Sequence, residues 1–435
     1  MDSFDYNTFI GRIWFERRDI VSGGYDRSLN YIKGIFPEME IHSYPSGTNV
    51  WTWVIPEKWS VKSAYIKAGN KILLDLDDHP LHVMSYSTPF SGSISQEELM
   101  SHLHTRCEYP DAIPFEFSYY QPKWGFCIQH DKLKDFTFKK YDVLIDSTFE
   151  RGELKVGCYY IKGRIDKEIV IIAHLCHPCM VDDGLSGVAV LLKIADFCKN
   201  NDNYYSYRFL ILPETIGSIA YLSHNEHIIE KLQYGIFLEM LGHDDLFSLQ
   251  RSIQGNTLID RAAFLSLKQN TTEFRAGGFY DVVGNDERVF NGIGVNVPTI
   301  SISRSNFWSN GHYPEYHTSA DTPDIITAGR LIEAQAIVIN LLKMLNLNYY
   351  PKAIVKGPIF LTRYGLWVDW RIDASLNAKQ EMIFNYLHYG KKSIIDIAYE
   401  LDLSFDQVKN WLDKFYENNL IEKLSSAHAI KREDD

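Results

Sequence analysis

The chain has 435 residues, which at ~150 residues per domain predicts two or three domains and cores large enough to fold without disulfide or metal staples. Hydrophobic residues make up 45%, charged residues 23% and aromatics 14%, which excludes a disordered chain. A net charge of -12 argues against a general nucleic-acid binder, because neutralising phosphate needs clustered Lys and Arg. Six cysteines, at 107, 127, 158, 176, 179 and 198, are spread thinly, as in cytosolic proteins rather than disulfide frameworks. The acidic start leads into no apolar leader, and no apolar run approaches the ~20 residues of a membrane span. A cytoplasmic protein with no membrane partner is the expectation.

Residues 6–36 predict helix, with Phe9, Ile13, Ile20, Leu29, Ile32 and Ile35 at helical spacings and an interruption at Gly23-Gly24. From 41 to 129 short aromatic and β-branched stretches (49–54, 64–66, 71–74, 82–85 and 124–128) alternate with Pro-, Gly- and Ser-rich turns, predicting a small β-rich unit. Between 141 and 346 strands are expected at 155–161, 168–173, 206–212, 234–238 and 299–303. Helices are expected at 187–200, 216–230, 258–268 and 328–345. This alternation predicts an α/β layer fold with ligands at the carboxyl ends of the strands. Past Pro351, amphipathic helices at 378–389, 393–401 and 404–418, followed by 420–424, form the pattern of a winged helix-turn-helix.

Chemistry-bearing residues recur where the strands end. The apolar run Ile169-Val170-Ile171-Ile172-Ala173 leads straight into His174, and Asp182-Asp183-Gly184-Leu185-Ser186-Gly187 opens the next helix. Alone, that acidic turn reads as a helix cap. Strand 206–212 leads into Pro213-Glu214-Thr215, strand 234–238 into Glu239, and a later loop carries Tyr316-His317-Thr318-Ser319-Ala320-Asp321-Thr322. Carboxylates gathered with imidazoles at one sheet edge repel each other unless a divalent metal neutralises them.

This series, His, then Asp-x-x-Ser-Gly, then Glu, then an acid, then His-Thr-x-x-Asp-Thr, resembles the co-catalytic zinc aminopeptidases of the M28 clan. Gly284-Asn285-Asp286-Glu287-Arg288 and the stretch from Tyr313 to Asp321 narrow the resemblance to bacterial aminopeptidase-like proteins, formerly of unknown function, with an inserted domain and a C-terminal winged helix. The fold it implies is α/β. A mixed-sheet zinc-exopeptidase (phosphorylase/hydrolase-like) core spans 1–45 plus 130–350, a small inserted β-rich domain spans 46–129, and a winged helix-turn-helix spans 351–435. Implied chemistry is hydrolysis of an N-terminal residue or peptide-like amide through metal-activated water, with one or two Zn2+ per chain.

The resemblance assigns His174, Asp183, Glu239 and His317 as metal ligands, Asp183 bridging two metals, with Asp182 a neighbouring cap. Where the clan has Glu-Glu, this chain has Glu214-Thr215; Glu214 is assigned as the catalytic base, with a ligand role the alternative. Where the clan has an Asp two residues after the first His, Cys176 stands instead, and His177 is an additional candidate ligand. Asp286 or Glu287 is expected to meet a substrate amine, Arg288 or Arg304 a carboxylate, and Tyr316, with Tyr280 and Tyr313, to line the pocket. Cys176-His177-Pro178-Cys179 lacks the second pair a structural zinc site needs, and His79, His82, His102 and His104 are too scattered for a metal.

The helix expected at 404–418, in the recognition position of a winged helix, offers Lys409 and Lys414 against Asp406, Asp413 and Glu417 and so has no positive surplus for DNA. Residues 372–435 hold 8 Lys plus Arg against 12 Asp plus Glu, so this unit is expected to serve protein–protein or self-association rather than nucleic acid. Two rivals to the hydrolase stand: a catalytically inactive peptidase-fold binding or regulatory protein, linked to polysaccharide biosynthesis, and an amide-forming or cyclising relative on the same fold.

Overall fold

A computed structural model describes residues 5–305 and 312–425. The chain divides into two compact units, one of residues 1–253 and 277–335, the other of residues 254–276 and 336–435. In the first unit a mixed sheet carries β1 (Glu40–Pro45), β2 (Glu153–Ile161), β3 (Glu168–His174), β4 (Ser206–Leu212), β5 (Leu232–Leu238), β6 (Phe247–Gln250) and β7 (Thr299–Ser303), in the spatial order β1-β2-β4-β3-β5-β7-β6. The four central strands β4, β3, β5 and β7 run parallel, and β1, β2 and β6 run antiparallel to their neighbours. Every residue of β3 is buried, as the unbroken apolar run requires of a strand covered on both faces. Parallel strands present their carboxyl ends along one edge, so His174, Glu214 and Glu239 arrive there from three adjacent strands.

The expected helix over 6–36 is two helices, α1 (Tyr6–Ile13) and α2 (Gly23–Ile35). The break falls at 14–22, not at Gly23-Gly24, which opens α2 under the Ser22 cap. Gly24 is needed there for closeness: a Cβ would lie 1.9 Å from the Arg17 carbonyl oxygen. The intervening loop turns the fully buried Arg18 inward.

The β-rich region forms its own four-stranded antiparallel sheet from Lys58–Ala68, Lys71–Asp75, Phe90–Ser95 and Lys140–Glu150. The last strand lies beyond the expected limit of 129. Its alternating buried and exposed residues pair it with Lys58–Ala68, a long-range partnership that no local sequence signal reveals. The second unit holds helices Leu258–Asn270, Ala374–Leu387, Ile394–Glu400 and Phe405–Glu417, and pairs the strands Tyr350–Ala353 and Ile421–Leu424 antiparallel. Ser393 and Ser404 each cap their helix with a reciprocal capping box, which explains why the helix starts were legible. Among the described residues no helix is long and apolar enough to cross a membrane.

Candidate metal centre

β3 ends in His174, and the loop after it returns through a tight turn to α3 (Gly187–Lys199), bringing Asp183 back under the imidazole. His174 Nε2 lies 3.0 Å from Asp183 Oδ1 and 3.9 Å from Glu239 Oε2. The other Asp183 oxygen, Oδ2, lies 2.9 Å from His317 Nε2 and 3.9 Å from His177 Nε2. His177 Nε2 in turn is 3.4 Å from Glu214 Oε2. One buried carboxylate thus stands among three imidazoles, with a second carboxylate on each side.

Backbone geometry here is forced. His177 (φ 85°), Thr215 (φ 60°), Met240 (φ 47°) and His317 (φ 54°) all occupy the left-handed region although none is glycine, a cost that surrounding structure must hold. Gly184 has φ 111°, and a Cβ there would lie 2.7 Å from His174 Cδ2. A Gly184→Ala chain is therefore expected to lose about 2 kcal/mol of stability in chemical denaturation and to misplace His174.

Hydrogen bonds fix each part of the turn. Asp321 accepts from the backbone N–H groups of Val181, Asp182 and Asp183 and from the Tyr313 hydroxyl. Asp182 is not a helix cap. Its carboxylate accepts from the Gly242 N–H and bonds His243 Nδ1, tying the Asp183 turn to the chain just after Glu239. Arg18 donates to the carbonyls of Leu175, His177 and Met180, and also to those of Ile13 and Trp14, so one buried guanidinium holds the loop that carries His177.

Electrostatics follow from burial. Burial works against ionisation of Asp183, but the imidazoles around it hold its carboxyl well below the usual range. Burial likewise opposes charge on His174, yet the Asp183 bond and neighbouring carboxylates raise it to about 10, while burial pushes His177 down to about 3. Glu239 and Glu214 are both raised by burial, Glu239 strongly.

Asp183 Oδ2 and His317 Nε2 have each other, at 2.9 Å, as polar partner, and Glu239 Oε1 is buried with no hydrogen-bond partner. Donor atoms of His174, Asp183 and Glu239 lie within 4.8 Å of one another, as do those of His177, Asp183 and His317 and those of His174, His177 and Glu214. Imidazole nitrogens and carboxylate oxygens are the donors zinc takes, so these residues fit a zinc-type cation.

The remaining candidates fall in different places. Asp286 does not open to a substrate: it is fully buried, accepts from Thr215 N–H at 2.9 Å and the Ser218 hydroxyl at 2.6 Å, and braces the turn bearing Glu214, with burial raising it to about 7. Glu287 is equally buried, accepting from Gln250 and the Asn285 N–H. Arg304 is enclosed, donating to the carbonyls of Leu241 and Asp245 and to Glu333. Arg288 is exposed and its charge acts on Glu214. Tyr316 stacks on His317 with centroids 3.9 Å apart; Tyr313 is spent on Asp321, and Tyr280 is exposed. Cys176 Sγ accepts from the Glu214 N–H at 3.1 Å and leaves His174 Nδ1 without a hydrogen bond. Cys179 donates to the Phe15 carbonyl, and all six cysteines are free.

Two contributors went unread in the sequence. Asn285 donates its side-chain amide to Glu239 Oε2; its place just before Asp286 in the motif was the available signal. Phe115, from the β-rich region, sets its ring edge-on to His177 and His317 at 5.6 and 5.3 Å, and its N–H bonds the His317 carbonyl. Nothing local marks it.

The family described as Domain of unknown function (DUF4910) matches residues 7–348. A Clostridium acetobutylicum protein named "Putative polysaccharide biosynthesis protein with aminopeptidase-like domain" is 33% identical over 416 residues, covering 93% of each chain. The crystal structure of a "putative peptidase" from Clostridium acetobutylicum aligns with a TM-score of 0.85 at 31% identity, covering 96% of each chain. BSAP, a zinc aminopeptidase from Bacillus subtilis, aligns with a TM-score of 0.58 at 14% identity over 78% of this chain and 94% of its own, a likeness of fold. The mixed α/β sheet with its row of parallel strand ends is a peptidase fold, and the chain belongs to the DUF4910 family.

Proposed function

We propose that this chain is a zinc-dependent hydrolase of aminopeptidase type, cleaving an N-terminal residue or another peptide-like amide. The observation that carries this reading is Asp183, whose two oxygens face different imidazoles at the carboxyl ends of the parallel strands. His174, Asp183, Glu239 and His317 would hold the metal. When bound, zinc supplies Lewis-acid polarisation of a carbonyl and acidifies a water. Glu214 takes a proton at its carboxylate and returns it to the leaving amine; it is partly open to the cleft, and Cys176 and Asp286 fix the turn behind it. Arg288 is the exposed cation placed to meet a substrate carboxylate, and Tyr316 walls the His317 side.

Glu214→Gln is expected to lower turnover about 10²–10⁴-fold while leaving zinc content unchanged. Because burial raises the Glu214 carboxyl, the ionised base is lost on acidification already above the ordinary carboxylate range. Turnover is therefore expected to fall as pH drops through that raised pKa, and the wild-type acidic limb should vanish in Glu214→Gln. A panel of aminoacyl and amide-bearing saccharide reporters, with and without chelator, tests the activity. Chelator-sensitive cleavage supports a hydrolase.

Thr215, standing where the clan has its second Glu, favours a second reading in which the fold binds without catalysing; the name of the Clostridium relative adds polysaccharide synthesis as its setting. Zinc retention without turnover on any reporter would move the choice to it. For the C-terminal helices we propose protein association rather than DNA. Lys409 and Lys423 both pair with Asp413, at 2.6 and 2.8 Å, leaving little positive charge to position phosphate.

A further inference from the structure

We infer that the β-rich region builds a saccharide subsite beside the metal centre, so that the amide cleaved there is carried on an oligosaccharide. The inference rests on the proposed hydrolase and deepens it by naming the class of its substrate.

It starts from the sequence Phe115-Glu116-Phe117-Ser118-Tyr119-Tyr120. The segment is held extended against Ser85, whose N–H donates to the Glu116 carbonyl at 2.8 Å and whose carbonyl accepts from the Ser118 N–H at 2.9 Å. In an extended chain alternate side chains share a face, so Phe115, Phe117 and Tyr119 form one row of rings. Their centroids lie 5.5 Å apart, then 4.6 Å. The first ring packs on His177 and His317 at the metal centre. The last lines a pocket of about 480 Å³, within the ~300–1,000 Å³ of small-molecule sites. Burial raises the Tyr119 phenol well above its usual range, and Glu214 is near enough to add to the rise. The row of rings therefore links the metal centre to the pocket.

The walls of the pocket select its occupant. Tyr120 is 55% exposed, Phe117 47% and Trp53, whose ring meets Tyr120 at 6.5 Å, 39%; a group of large rings left in water beside a cleft marks a ligand surface. The hydroxyls of Ser118, Thr88 and Tyr120 already donate to the carbonyls of Gln121, Lys123 and Val54, at 2.5, 3.3 and 2.8 Å. Toward a ligand they are left to accept, and the Glu57 carboxylate is a further acceptor. Among the described residues that line the pocket none is Lys, Arg or His. Such walls disfavour phosphate and carboxylate groups. They suit a ligand rich in O–H donors that also has a flat C–H face. A pyranose ring has both, hydroxyls around its edge and C–H bonds whose positive ends meet the negative faces of aromatic rings. A peptide brings one backbone N–H per residue and leaves most of these acceptors unmet.

Calorimetry on the full chain, metal-free and zinc-loaded, tests the subsite without any turnover. The probes are the β-1,4 trimer of N-acetylglucosamine, cellotriose, maltotriose and tri-alanine. At least one of the three saccharides is expected to bind both forms of the chain. Tyr120→Ala and Phe117→Ala should each weaken that binding about 3–10-fold, and Tyr120→Phe, which keeps the ring, should bind as wild type does. Tri-alanine should be indifferent to the change at Tyr120. Circular dichroism and the melting temperature check that each variant is folded. No saccharide bound at millimolar concentration, wild-type affinity in both alanine variants, or a tri-alanine affinity that falls with Tyr120→Ala would each overturn the inference while leaving a zinc hydrolase standing. Ring-dependent saccharide binding by a chain that takes up no zinc would keep the subsite and sink the hydrolase.

Discussion

Asp183→Ala is expected to remove zinc binding almost completely, with affinity falling by well over the ~100-fold that loss of a mere supporting partner costs. The reason is that two of the three donor groups share this one side chain: Oδ1 faces His174 and Oδ2 faces His317 and His177. Loss of Asp183 removes the carboxylate from both of the donor groups its two oxygens join. The stripped site would also change its charge, because the imidazoles that now hold Asp183 ionised would have no buried anion between them. Zinc titration by calorimetry on Asp183→Ala and Asp183→Asn reads this directly. The Asn variant keeps shape and one acceptor oxygen, so any zinc it retains measures how much of the bridge is charge rather than geometry. Wild-type-like affinity in either variant would show that Asp183 is not at the centre.

Arg18→Met is expected to be the most destabilising single change in the first unit, at roughly 3 kcal/mol or more. Arg18 is fully buried and its partners are carbonyls, those of Ile13, Trp14, Leu175, His177 and Met180, not a carboxylate. Burial lowers its pKa to about 10, but it stays charged at neutral pH, and the methionine would take the guanidinium donor from all of these carbonyls. Chemical denaturation measures the loss. Because three of the freed carbonyls, those of Leu175, His177 and Met180, include and flank His177, zinc affinity of the folded fraction should fall as well, about 10–100-fold. Arg18→Lys, with a charge but no planar fork, should lie between. Unchanged denaturation midpoints would mean that water or a shifted loop replaces the guanidinium without cost.

The parts of the centre that could be read from the sequence are those announced by their own surroundings. An apolar strand running into His174, another running into Pro213-Glu214, and a third into Glu239 place three side chains at one edge as soon as the strands are taken as parallel, and the sheet order shows them adjacent. The strands 206–212 and 299–303 were legible to the residue because their apolar runs are bounded by polar turns. What escaped depends on contacts across long stretches of chain. Arg18 looks like one of two arginines in a loop, and only the fold shows that it reaches residues 175–180. Phe115 is one aromatic among many, until the backbone pairing of 113–115 with 317–319 brings it onto two imidazoles. Asp286 and Glu287 look like surface charges in a Gly-Asn-Asp-Glu-Arg turn, yet the chain folds them inward to brace Thr215 and Gln250. A sequence gives the charge of such residues but not the side of the wall on which they stand.

The most direct measurement is the zinc content of the full chain, prepared without chelators and analysed for metal before and after stripping and reloading. Zinc at about one or two ions per chain, removed by chelator and restored by zinc alone, is the expected result. A chain that carries no zinc and takes up none when it is supplied would contradict a metal centre at these strand ends.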